Sequence, residues 1–504
     1  MTETKMKSEV ADFYNGQAVF ITGATGFLGK VLLEKLLRSC PGIESIYILI
    51  RAKKNKNVLE RTDQLFMDQI YKKLEKTTMS KVMPINGDVS LPGLGISETD
   101  RATLTEKVSV VFHSAATVRF VDPLKHTLIT NLRGTNEVIN LCKEMKHLKS
   151  FLYVSTAYSH CVRREIDEIV YDIPMSPEQL LNCCEWMTDD QMEFMAPHIM
   201  ENWPNPYAYS KALSENLVKK RCENMPAAIF RPSIVVSGAQ EPLPGWNDNL
   251  NGPTGITAGI TMGIIRSMNA DKDVNADLVP VDYVVNSMIA SAWDVGTNKL
   301  PLQVFNFTSG GRNPLTWGRF RELLISVGFD APPLKALWYF CFFIIKSTRM
   351  HNFVVSILHF LPAILLDMVS TLLGKKRRFF RLYQKIDQQT SAPAYFALRQ
   401  WEFKDDNVLS TIKRMTPEDR KIFRCDIADL DWATYMGDYY LGMRQYVLKD
   451  DPSTVPEALK RYKKLHYLHR GLQVVMLIGF LGIALKFFTL IAAGVSSVAT
   501  SLQF

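Results

Sequence analysis

A tyrosine and a lysine stand four residues apart in the stretch NPYAYSKALSEN (205–216), at Tyr207 and Lys211. Residues with this spacing lie on one face of a helix, whereas Tyr209 lies about 200° around the axis from Tyr207. A phenol with a pKa of about 10 is a poor acid–base group at neutral pH, but an adjacent ammonium lowers that pKa by stabilising the phenolate. The pair therefore predicts an acid–base tyrosine assisted by Lys211.

Two hydroxyl groups that can polarise a substrate oxygen stand in the stretch VSTAY (154–158), which leaves a predicted strand. The residues alone leave open whether Ser155 or Thr156 is the donor. Lys211 is also suited to hold the ribose of a nicotinamide cofactor. A tyrosine–lysine pair with this spacing also occurs by chance in helices, so its meaning depends on what precedes it. The predicted catalytic residues are Tyr207, Lys211, Thr156 and Ser155.

A glycine-rich stretch, ITGATGFLGK (21–30), directly follows the first predicted strand and opens a helix. Glycines at this spacing permit a tight turn, close approach of the backbone to a pyrophosphate, and close packing of helix on strand. The amides of the helix N-terminus then bind the phosphates. A plain turn is the alternative, but the strand before the glycines and the helix after them favour dinucleotide binding. The predicted contacts are Thr22, Gly23, Thr25, Gly26, Phe27, Leu28 and Gly29.

The end of the second predicted strand, SIYILIRAKKNK, indicates which dinucleotide binds. Arg51 stands where an NAD site places a carboxylate, and Lys53, Lys54 and Lys56 are close to it in sequence. A guanidinium suits the 2′-phosphate of NADPH through bidentate bonds and stacking on adenine. The alternative is a solvated basic turn. We therefore predict NADPH as the cofactor.

The ends of later strands supply further candidate contacts to the cofactor. An aspartate in Gly87-Asp88-Val89 can accept a hydrogen bond from the adenine amino group, and the small residues of HSAA (113–116) let the backbone approach the cofactor. The additional predicted cofactor residues are Asp88, Val89, Ser114, Ala115, Ala116 and Pro232, together with Tyr207 and Lys211.

Apolar runs alternate with amphipathic helical stretches from residue 17 to about residue 308, which predicts a doubly wound parallel sheet of the α/β class. The runs are 17–22, 45–50, 82–87, 108–113, 150–155, 227–236 and 303–308. A Pro- and Gly-rich stretch at 240–256 interrupts the pattern and is expected to form loops on the substrate side.

Two apolar segments follow residue 330. ALWYFCFFII (336–345) is too short to span a bilayer, and the segment 353–373 contains His359, Pro362 and Asp367. We expect both to form helices that line an apolar cavity or dock on a membrane rather than cross it, with ordinary core as the alternative. A polar helical region follows from about residue 375 to residue 450.

The C-terminus has the composition of a membrane anchor. KRYKKLHYLHR (460–470) is basic, and residues 471–504 carry a single charge, Lys486. This length suffices for one tilted span or for two half-depth segments, with the lysine reaching toward the interface. The basic run predicts that the rest of the chain lies in the cytosol. A buried amphipathic helix pair is the alternative.

Composition, charge and cysteine spacing exclude several classes of protein. A length of 504 residues implies more than one folded unit, and 47% hydrophobic with 22% charged residues exclude a disordered, collagen-like or polytopic membrane protein. The net charge of +8 is too small to indicate nucleic-acid binding, but it suits a phosphorylated ligand or an anionic membrane. The eight cysteines show no CxxC spacing, so no metal site or disulfide framework is indicated. The N-terminus lacks the apolar run of a secretory signal.

The motifs TGATGFLG, GDV, HSAA, STAY and YAYSK resemble, in this order, those of the extended short-chain dehydrogenase/reductases, whose sheet is of the Rossmann type. The stretch 230–255, FRPSIVVSGAQEPLPGWNDNLNGPTG, is similar to a signature of the fatty acyl-CoA reductases, the male-sterility-domain family. Residues 394–451 resemble the C-terminal helical domain of that family. The resemblance covers roughly residues 17–451.

This resemblance implies reduction of a long-chain acyl-CoA to a primary alcohol through an aldehyde, with two NADPH consumed and CoA released. By the same resemblance, Tyr207 protonates the carbonyl oxygen, Lys211 tunes it and binds ribose, and Thr156 is favoured over Ser155 as the donor. Many members carry a lysine where this sequence has Met262, so Arg266 or another base would have to contact CoA phosphate. A membrane-bound dehydrogenase of a sterol or other lipid, and a non-catalytic NADPH-binding scaffold, remain alternatives.

The predicted organisation has five parts. They are an N-terminal tail (1–16), a reductase domain (17–330), an apolar helical segment (331–374), a C-terminal helical domain (375–459), and a basic segment with a membrane anchor (460–504). The expected partners are a long-chain acyl-CoA and a lipid membrane, without nucleic acid. The endoplasmic reticulum is favoured over the peroxisome, because the terminal SLQF is not an SKL-type signal. Acyl chain length, aldehyde release and oligomeric state cannot be read from the sequence.

Overall fold

A computed structural model describes residues 7–52 and 56–501, with side chains through Ile491. Lys53 and Lys54, predicted to lie near the 2′-phosphate, fall outside the described residues, as do residues 1–6 of the predicted tail. Every other predicted site residue falls within the described ranges.

Seven parallel strands form the central sheet, and each falls within one of the seven apolar runs of the sequence. They are β1 Ala18–Thr22, β2 Ser45–Ile50, β3 Val82–Asn86, β4 Val108–His113, β5 Ser150–Val154, β6 Ala227–Pro232 and β7 Gln303–Phe307. Their order across the sheet is β3-β2-β1-β4-β5-β6-β7. The order reverses between β1 and β4, where doubly wound sheets bind their ligands. The predicted sheet is confirmed.

Helices connect and cover the strands. Up to residue 330 they are α1 Glu9–Phe13, α2 Phe27–Ser39, α3 Val58–Phe66, α4 Lys76–Met79, α5 Glu98–Lys107, α6 Leu124–Leu128, α7 Gly134–Glu144, α8 Pro177–Trp186, α9 Asp189–Met200, α10 Pro206–Arg221, α11 Pro253–Thr261, α12 Val281–Asn298 and α13 Trp317–Asp330. Beyond it they are α14 Thr348–Val355, α15 Leu361–Leu372, α16 Phe379–Ser391, α17 Ala394–Ala397, α18 Asp406–Arg414, α19 Pro417–Ile422, α20 Trp432–Gly442 and α21 Val455–Ser501.

Shorter elements complete the structure. Turns of π-helix at Ile129–Arg133 and Ser356–Phe360 join α6 to α7 and α14 to α15, and a third, Met443–Val447, extends α20. Single 3₁₀ turns occur at Gln69–Tyr71, Pro92–Gly95, Ala157–His160, Ile427–Asp429 and Pro452–Thr454. Short parallel strand pairs join Ile234–Val236 to Leu278–Pro280, Ser267–Asn269 to Phe343–Ile345, and Glu165–Ile166 to Glu402–Phe403.

The sheet is buried on both faces, as is typical of parallel strands. All residues of β1, β2, β4 and β5 are buried. Apolar residues of α2 and α12 pack against one face, and those of α5, α7 and α10 pack against the other. The first two strands and the helix between them therefore present the glycine-rich turn at the carboxyl edge of a rigid core.

The sixth apolar run, 227–236, is divided by the fold. β6 ends at Pro232, and Ile234–Val236 leaves the main sheet to pair with Leu278–Pro280. Proline has no N–H to donate to a neighbouring strand, so it commonly stands where a strand ends. The division directs the chain out of the sheet at its carboxyl edge.

The N-terminal segment, predicted as a tail, contains a helix that packs on the body. Val10 and Tyr14 of this segment are fully buried. Ser8 Oγ donates to Asp419 Oδ1 at 2.6 Å, and the Tyr14 hydroxyl donates to the carbonyl of Ile289 at 2.9 Å. Burial of these two apolar side chains against distant parts of the chain stabilises a helix too short to form alone.

The run 336–345, predicted to be helical, is not a helix in the structure. Its last residues, Phe343–Ile345, form a strand that pairs with Ser267–Asn269, because pairing with a distant strand overrides local helical preference. The second run, 353–373, is helical as predicted: all but its last residue belong to a continuous helix, Thr348–Leu372.

Two helices of the described chain are long and apolar enough to cross a bilayer by length and composition. They are Thr348–Leu372, with a mean hydropathy of 2.0, and Pro452–Ile491, with a mean hydropathy of 2.4. The most apolar stretch of the second helix has no residue buried in the described protein. It belongs to α21, a single helix of 47 residues that continues past Lys486 without a break.

Helix α20 contacts the loop that follows β6 through two glycines. A Cβ on Gly442 would lie 2.0 Å from the carbonyl oxygen of Gly245, and a Cβ on Gly245 would lie 2.0 Å from that of Asp438. The two backbones therefore touch with no room for side chains. This contact fixes the loop 240–256, whose C-terminal part lines the cavity described below.

Replacement of Gly442 by alanine is expected to destabilise the protein by about 1–3 kcal/mol, because the new methyl group must push the loop away. Gly437→Ala in the same helix is the matched control: no atom lies within 4 Å of its added Cβ. In a helix that change stabilises by up to about 1 kcal/mol. Unfolding of the purified variants by denaturant measures both effects, and equal stability of the two would contradict the contact.

Candidate active site

A cavity of 600 Å³ lies at the carboxyl edge of the sheet and joins most of the predicted site residues. The predicted residues that line it are Gly23, Gly26, Phe27, Leu28, Gly29, Ser114, Ala116, Ser155, Thr156, Tyr207, Lys211 and Pro232. The glycine-rich turn and the tyrosine–lysine pair, about 180 residues apart in sequence, thus face one space. Thr22, Thr25, Arg51, Asp88, Val89 and Ala115 do not line it.

The glycine-rich turn has the geometry of a phosphate cradle. Gly23 has a φ of +80°, and a Cβ on it would lie 2.7 Å from the amide nitrogen of Ala115. A Cβ on Gly29 would lie 2.2 Å from the carbonyl oxygen of Gly23, so α2 packs directly on the turn. No side chain caps the N-terminus of α2, which begins after Gly26. The helix amides are therefore available to a pyrophosphate.

A buried hydrogen-bond chain holds the ends of β1 and β4 together where the strand order reverses. Thr22 Oγ1 bonds to His113 Nδ1 at 2.6 Å, and His113 Nε2 bonds to Thr135 Oγ1 at 3.1 Å. Ser114 Oγ donates to the carbonyl of Thr22 at 2.8 Å. Burial lowers the pKa of His113 to about 3, so the imidazole is neutral at physiological pH. Thr22 and His113 therefore support the glycine-rich turn without lining the cavity.

An arginine and a carboxylate meet at the ends of β2 and β3. Arg51 Nη1 lies 3.6 Å from Asp88 Oδ2, and the guanidinium remains 64% exposed. Burial would raise the pKa of Asp88, but hydrogen bonds from Ser90 and the nearby Arg51 outweigh burial and lower it. Lys56 is directed elsewhere, because its Nζ donates to Gln64 Oε1 at 2.8 Å. Arg51 is thus an exposed cation at the end of β2, the strand that pairs with β1 and so lies next to the glycine-rich turn.

Val89, the last predicted residue at this end, serves packing. It is buried, and a Cβ on Gly134 would lie 3.1 Å from its side chain. Close contact of this strand end with α7 holds Asp88 in place. Thr25 is half-buried within the glycine-rich turn.

Helix α10 carries the tyrosine–lysine pair as predicted. Asn205 caps it by accepting a hydrogen bond from the amide of Ala208 at 2.9 Å, and Pro206 occupies its first position. The Tyr207 ring stacks on Phe120 with centroids 5.9 Å apart. Lys211 Nζ donates to the carbonyl of Val154 at 2.6 Å. Capping and packing therefore fix both side chains at the end of β5.

The pKa of Tyr207 differs from the predicted lowering by Lys211. Burial raises it to about 12, and a hydrogen bond with Thr156 lowers it only in part. Lys211 is itself desolvated, which lowers its pKa to about 7 although Glu215 acts in the opposite direction. With a pKa of about 7, Lys211 is only partly protonated at neutral pH, and burial rather than a neighbouring charge sets the pKa of Tyr207. Tyr207 is thus a protonated phenol at neutral pH.

Ser155 and Thr156 have different partners. Ser155 Oγ donates to Glu215 Oε1 at 2.5 Å. The Thr156 hydroxyl contacts Tyr207 and lines the same cavity. Ser155 is thereby engaged with a buried carboxylate, whereas Thr156 stands beside the tyrosine hydroxyl.

The carboxylate of Glu215 lies at the centre of a fully buried network that sequence reasoning missed. Arg231 donates to its two oxygens at 2.9 and 2.7 Å, and His160 Nε2 lies 3.1 Å from Oε2. Despite burial, which raises it, the pKa of Glu215 is held well below its usual range, chiefly by Arg231. The signal in the sequence was the position of Glu215, four residues after Lys211 on one helix. Its partners lie on other elements, and no spacing in the sequence points to them.

The remaining wall of the cavity comes from distant parts of the chain and is largely apolar, with polar residues at Ser233, Asn247, Asp248, Asn249 and Asn251. Phe396 lies 5.6 Å from Phe120 and 5.2 Å from Tyr158, measured between ring centroids. The other lining residues not predicted as site residues are Val118, Val154, Ala208, Ser233, Ile234, Val235, Asn247, Asp248, Asn249, Asn251, Gly252, Pro253, Ile256, Met268, Trp317, Pro393 and Ala397. Residues 247–253 belong to the loop that we expected on the substrate side.

Several candidates for the substrate side lie elsewhere. Neither apolar segment, 336–345 or 353–373, contributes a lining residue to this cavity. The carbonyl of Met262 accepts from the amides of Leu337 and Trp338. Arg266 donates to the carbonyl of Leu358 and also does not line the cavity. Its guanidinium is therefore engaged in holding α14 and α15.

The cavity fits a dinucleotide with a nicotinamide. Side chains at Gly23 and Gly29 would collide with the backbone of the turn and of the adjoining strand end, and the N-terminus of α2, which no side chain of the described residues caps, suits a pyrophosphate. Tyr207, Thr156 and Lys211 place hydroxyl and ammonium groups along the same space. The apolar wall opposite them suits a hydrocarbon substituent. Together these features indicate reduction or oxidation at a carbonyl carbon.

Comparison with known families agrees with this site. A family model described as Male sterility protein, named for NAD binding, matches residues 21–288, and a second model with the same description matches residues 358–450. Fatty acyl-CoA reductase wat of Drosophila melanogaster is 39% identical over 473 residues, covering 93% of this chain and 91% of that protein. Fatty acyl-CoA reductase 1 of Homo sapiens is 36% identical over 474 residues, covering 93% of this chain and 92% of that protein.

Solved structures share the fold at low sequence identity. The reductase domain of a nonribosomal peptide synthetase from Mycobacterium tuberculosis has a TM-score of 0.57 and 18% identity, covering 87% of this chain and 95% of that domain. The terminal R domain of the myxalamid biosynthetic pathway has a TM-score of 0.55 and 18% identity, covering 85% of this chain and 90% of that domain. These similarities show that the chain shares the fold of those domains.

Proposed function

This chain belongs to the male sterility family of fatty acyl-CoA reductases, and we propose that it reduces a long-chain acyl-CoA to the primary alcohol with NADPH. The supporting observation is that Tyr207, Thr156, Lys211 and the glycine-rich turn line one cavity with an apolar wall. Overall, one acyl-CoA, two NADPH and two protons give one alcohol, one CoA and two NADP⁺. The chain's similarity to the curated reductases over almost its whole length supports the same substrate class.

The cofactor site divides among three groups of residues. The turn at Gly23 and the N-terminus of α2 bind the pyrophosphate, Lys211 binds the nicotinamide ribose, and Arg51 binds the 2′-phosphate. When bound, the nicotinamide supplies hydride to the carbonyl carbon. Arg51 is exposed beside Asp88 and free to turn toward a phosphate, which supports NADPH over NADH.

Tyr207 donates the proton to the carbonyl oxygen as hydride arrives. Because burial raises its pKa to about 12, the phenol is protonated at neutral pH and suited to act as a general acid. Thr156, beside the tyrosine hydroxyl, polarises the same oxygen. Ser155 is a positioning residue, since Glu215 holds its hydroxyl away from Tyr207.

The first reduction converts the thioester into a hemithioacetal, whose collapse breaks the carbon–sulfur bond and releases CoA. The resulting aldehyde stays against Tyr207 and Thr156, and a second hydride and proton complete the alcohol. The acyl chain lies along the wall formed by Phe120, Tyr158 and Phe396. Each buried CH₂ contributes about 0.8 kcal/mol, which retains a long-chain aldehyde between the two steps.

The C-terminal helix α21 anchors the protein in a membrane with the reductase domain in the cytosol. Its most apolar part lies within Pro452–Ile491 and has a mean hydropathy of 2.4. No residue of that part is buried in the described protein. The basic segment 460–470 precedes it and favours the cytosolic side. We propose the endoplasmic reticulum as the membrane, because acyl-CoA partitions onto such surfaces.

The function is tested with purified full-length protein in detergent or lipid, incubated with palmitoyl-CoA or stearoyl-CoA and NADPH. The expected products are the fatty alcohol and free thiol, at two NADPH oxidised per alcohol. NADPH oxidation with a sterol ketone and not with either thioester would assign a lipid dehydrogenase. NADPH binding without oxidation of any of these substrates would leave only a scaffold.

Tyr207→Phe is expected to lower kcat for alcohol formation by about 100- to 10,000-fold, because it removes the proton donor. The Kd for NADPH should stay within a few fold, since the hydroxyl contributes little to cofactor affinity. Tyr209→Phe is the matched control. Tyr209 lies in the same helix, and its buried hydroxyl has no hydrogen-bond partner among the described residues, so its loss should leave kcat unchanged. Retained alcohol formation by Tyr207→Phe would remove this residue from the proposed role.

Arg51→Glu is expected to raise the KM for NADPH about 10- to 100-fold more than the KM for NADH, because a charge-assisted bond to the 2′-phosphate is lost and repulsion is added. Lys56→Glu is the control, since this nearby lysine is engaged with Gln64. Initial rates with each cofactor give the two ratios. An NADPH-to-NADH ratio unchanged in Arg51→Glu would assign the 2′-phosphate contact to another residue.

A further inference from the structure

Helices α14 to α16 form a hairpin, here called the apolar hairpin (residues 348–391), that is fixed to the body by polar contacts on one face. His351 Nδ1 bonds to Ser267 Oγ at 2.8 Å, and His359 Nε2 accepts from the amide of Arg266 at 2.8 Å. The Tyr383 ring stacks on His359 with centroids 5.3 Å apart. The Tyr383 hydroxyl, on the second helix, donates to the carbonyl of Ile264 at 3.3 Å. Contacts from both helices therefore hold the hairpin along the surface.

The opposite face of the hairpin is apolar and uncovered. Its side chains repeat at helical spacing and are between 37% and 86% exposed: Phe353, Ile357, Leu361, Ile364, Leu365, Met368, Val369 and Leu372. Soluble surfaces rarely present a contiguous apolar patch of this size. The hairpin therefore needs an apolar partner.

The turn of the hairpin is strongly basic. Its exposed cations are Lys375, Lys376, Arg377, Arg378 and Arg381. No acidic residue occurs between Asp367 and Asp387 in the sequence. The Asp367 carboxylate accepts three backbone amides, from residues 378–380, at 2.9 to 3.0 Å, so it caps α16. An apolar stripe next to uncompensated cations matches the acyl region and the anionic headgroups of one leaflet.

The segment 338–345 contacts the C-terminal helix α21 and leads into the hairpin. Trp338 Nε1 donates to His469 Nδ1 at 3.0 Å, and the amide of Phe340 donates to the Tyr462 hydroxyl at 3.1 Å. The strand Phe343–Ile345 that follows leads directly into α14. A membrane that takes up α21 therefore lies close to the hairpin.

We propose that the apolar hairpin is a second membrane contact, in which the stripe inserts into one leaflet and the basic turn binds anionic lipid. It lies in the interface rather than crossing it, because its histidines are engaged with the body. The proposal rests on the proposed function only in that α21 supplies the membrane. The strand Ser267–Asn269, which holds the hairpin, also contributes Met268 to the active-site cavity. Contact with lipid thus occurs next to the wall proposed for the acyl chain.

The proposal is tested by photolabelling full-length protein in nanodiscs that contain phosphatidylserine and a phospholipid with a diazirine near the end of its acyl chain. Trypsin releases the stripe as one peptide, residues 350–375, and the first half of the anchor as residues 471–486. The buried, apolar helix α12 lies in peptide 273–299 and measures background. Peptide 386–399 contains Phe396 and reports lipid that enters the cavity.

Labelling of 350–375 and 471–486 several-fold above peptide 273–299 is the expected result. Labelling of 471–486 without 350–375 would overturn the hairpin contact and leave the anchor intact. The reverse pattern would support the hairpin and overturn the anchor, and absence of both labels would overturn both. If peptide 350–375 carries no lipid label and is instead cross-linked to another copy of the chain, the stripe would be an interface between copies and the lipid contact would be overturned.

Variants separate the apolar and electrostatic parts of the contact. Leu361→Gln with Leu365→Gln should lower labelling of 350–375 several-fold and leave 471–486 unchanged, whereas Phe194→Gln, at an exposed position of α9, should change neither. Lys376→Glu with Arg377→Glu should lower the label in phosphatidylserine nanodiscs more than in phosphatidylcholine nanodiscs. NADPH binding by each variant shows that it is folded. Labelling insensitive to both double substitutions would overturn the proposal.

Discussion

The buried carboxylate of Glu215 is the interaction on which the geometry of the reactive groups depends. It joins α10, which carries Tyr207 and Lys211, to Ser155 at the end of β5 and to Arg231 in β6. Loss of one partner of such a buried pair costs about 3–5 kcal/mol, because the other charge is left without compensation. A helix fixed in this way to two strand ends can hold a tyrosine against a threonine without help from substrate.

The direction of the reaction agrees with the electrostatics of the site. A reductase needs a protonated phenol when hydride arrives, whereas an alcohol dehydrogenase needs a phenolate. Burial raises the pKa of Tyr207 to about 12, so the phenol form is present without any assistance from Lys211. Lys211 donates to the carbonyl of Val154, and we assign it the binding of the ribose rather than the ionisation of the tyrosine as a proposal.

The site is built from both ends of the chain. The edge of the sheet supplies the proposed phosphate cradle and α10 carries Tyr207, while Phe396 contributes apolar surface and the loop held by Gly442 contributes polar residues to the wall. Separation of polar and apolar surfaces within one cavity is what a reaction needs when charge develops on a carbonyl oxygen at the end of a long hydrocarbon chain. The same separation recurs outside the cavity, where the apolar hairpin presents polar groups to the body and hydrocarbon to its surroundings.

The sequence by itself determined the seven strands, the glycine turn, the tyrosine–lysine pair and the apolar C-terminus, because each depends on periodicity or spacing within about 20 residues. It could not place Glu215 against Arg231, Phe396 beside Tyr158, or α1 on α19, since these contacts join residues whose separation in sequence carries no local signal. The run 336–345 was wrongly predicted as a helix, because its pairing with Ser267–Asn269 exists only in the folded chain. The tertiary structure also decided the ionisation of Tyr207, since burial, which no spacing reveals, outweighs the hydrogen bond with Thr156.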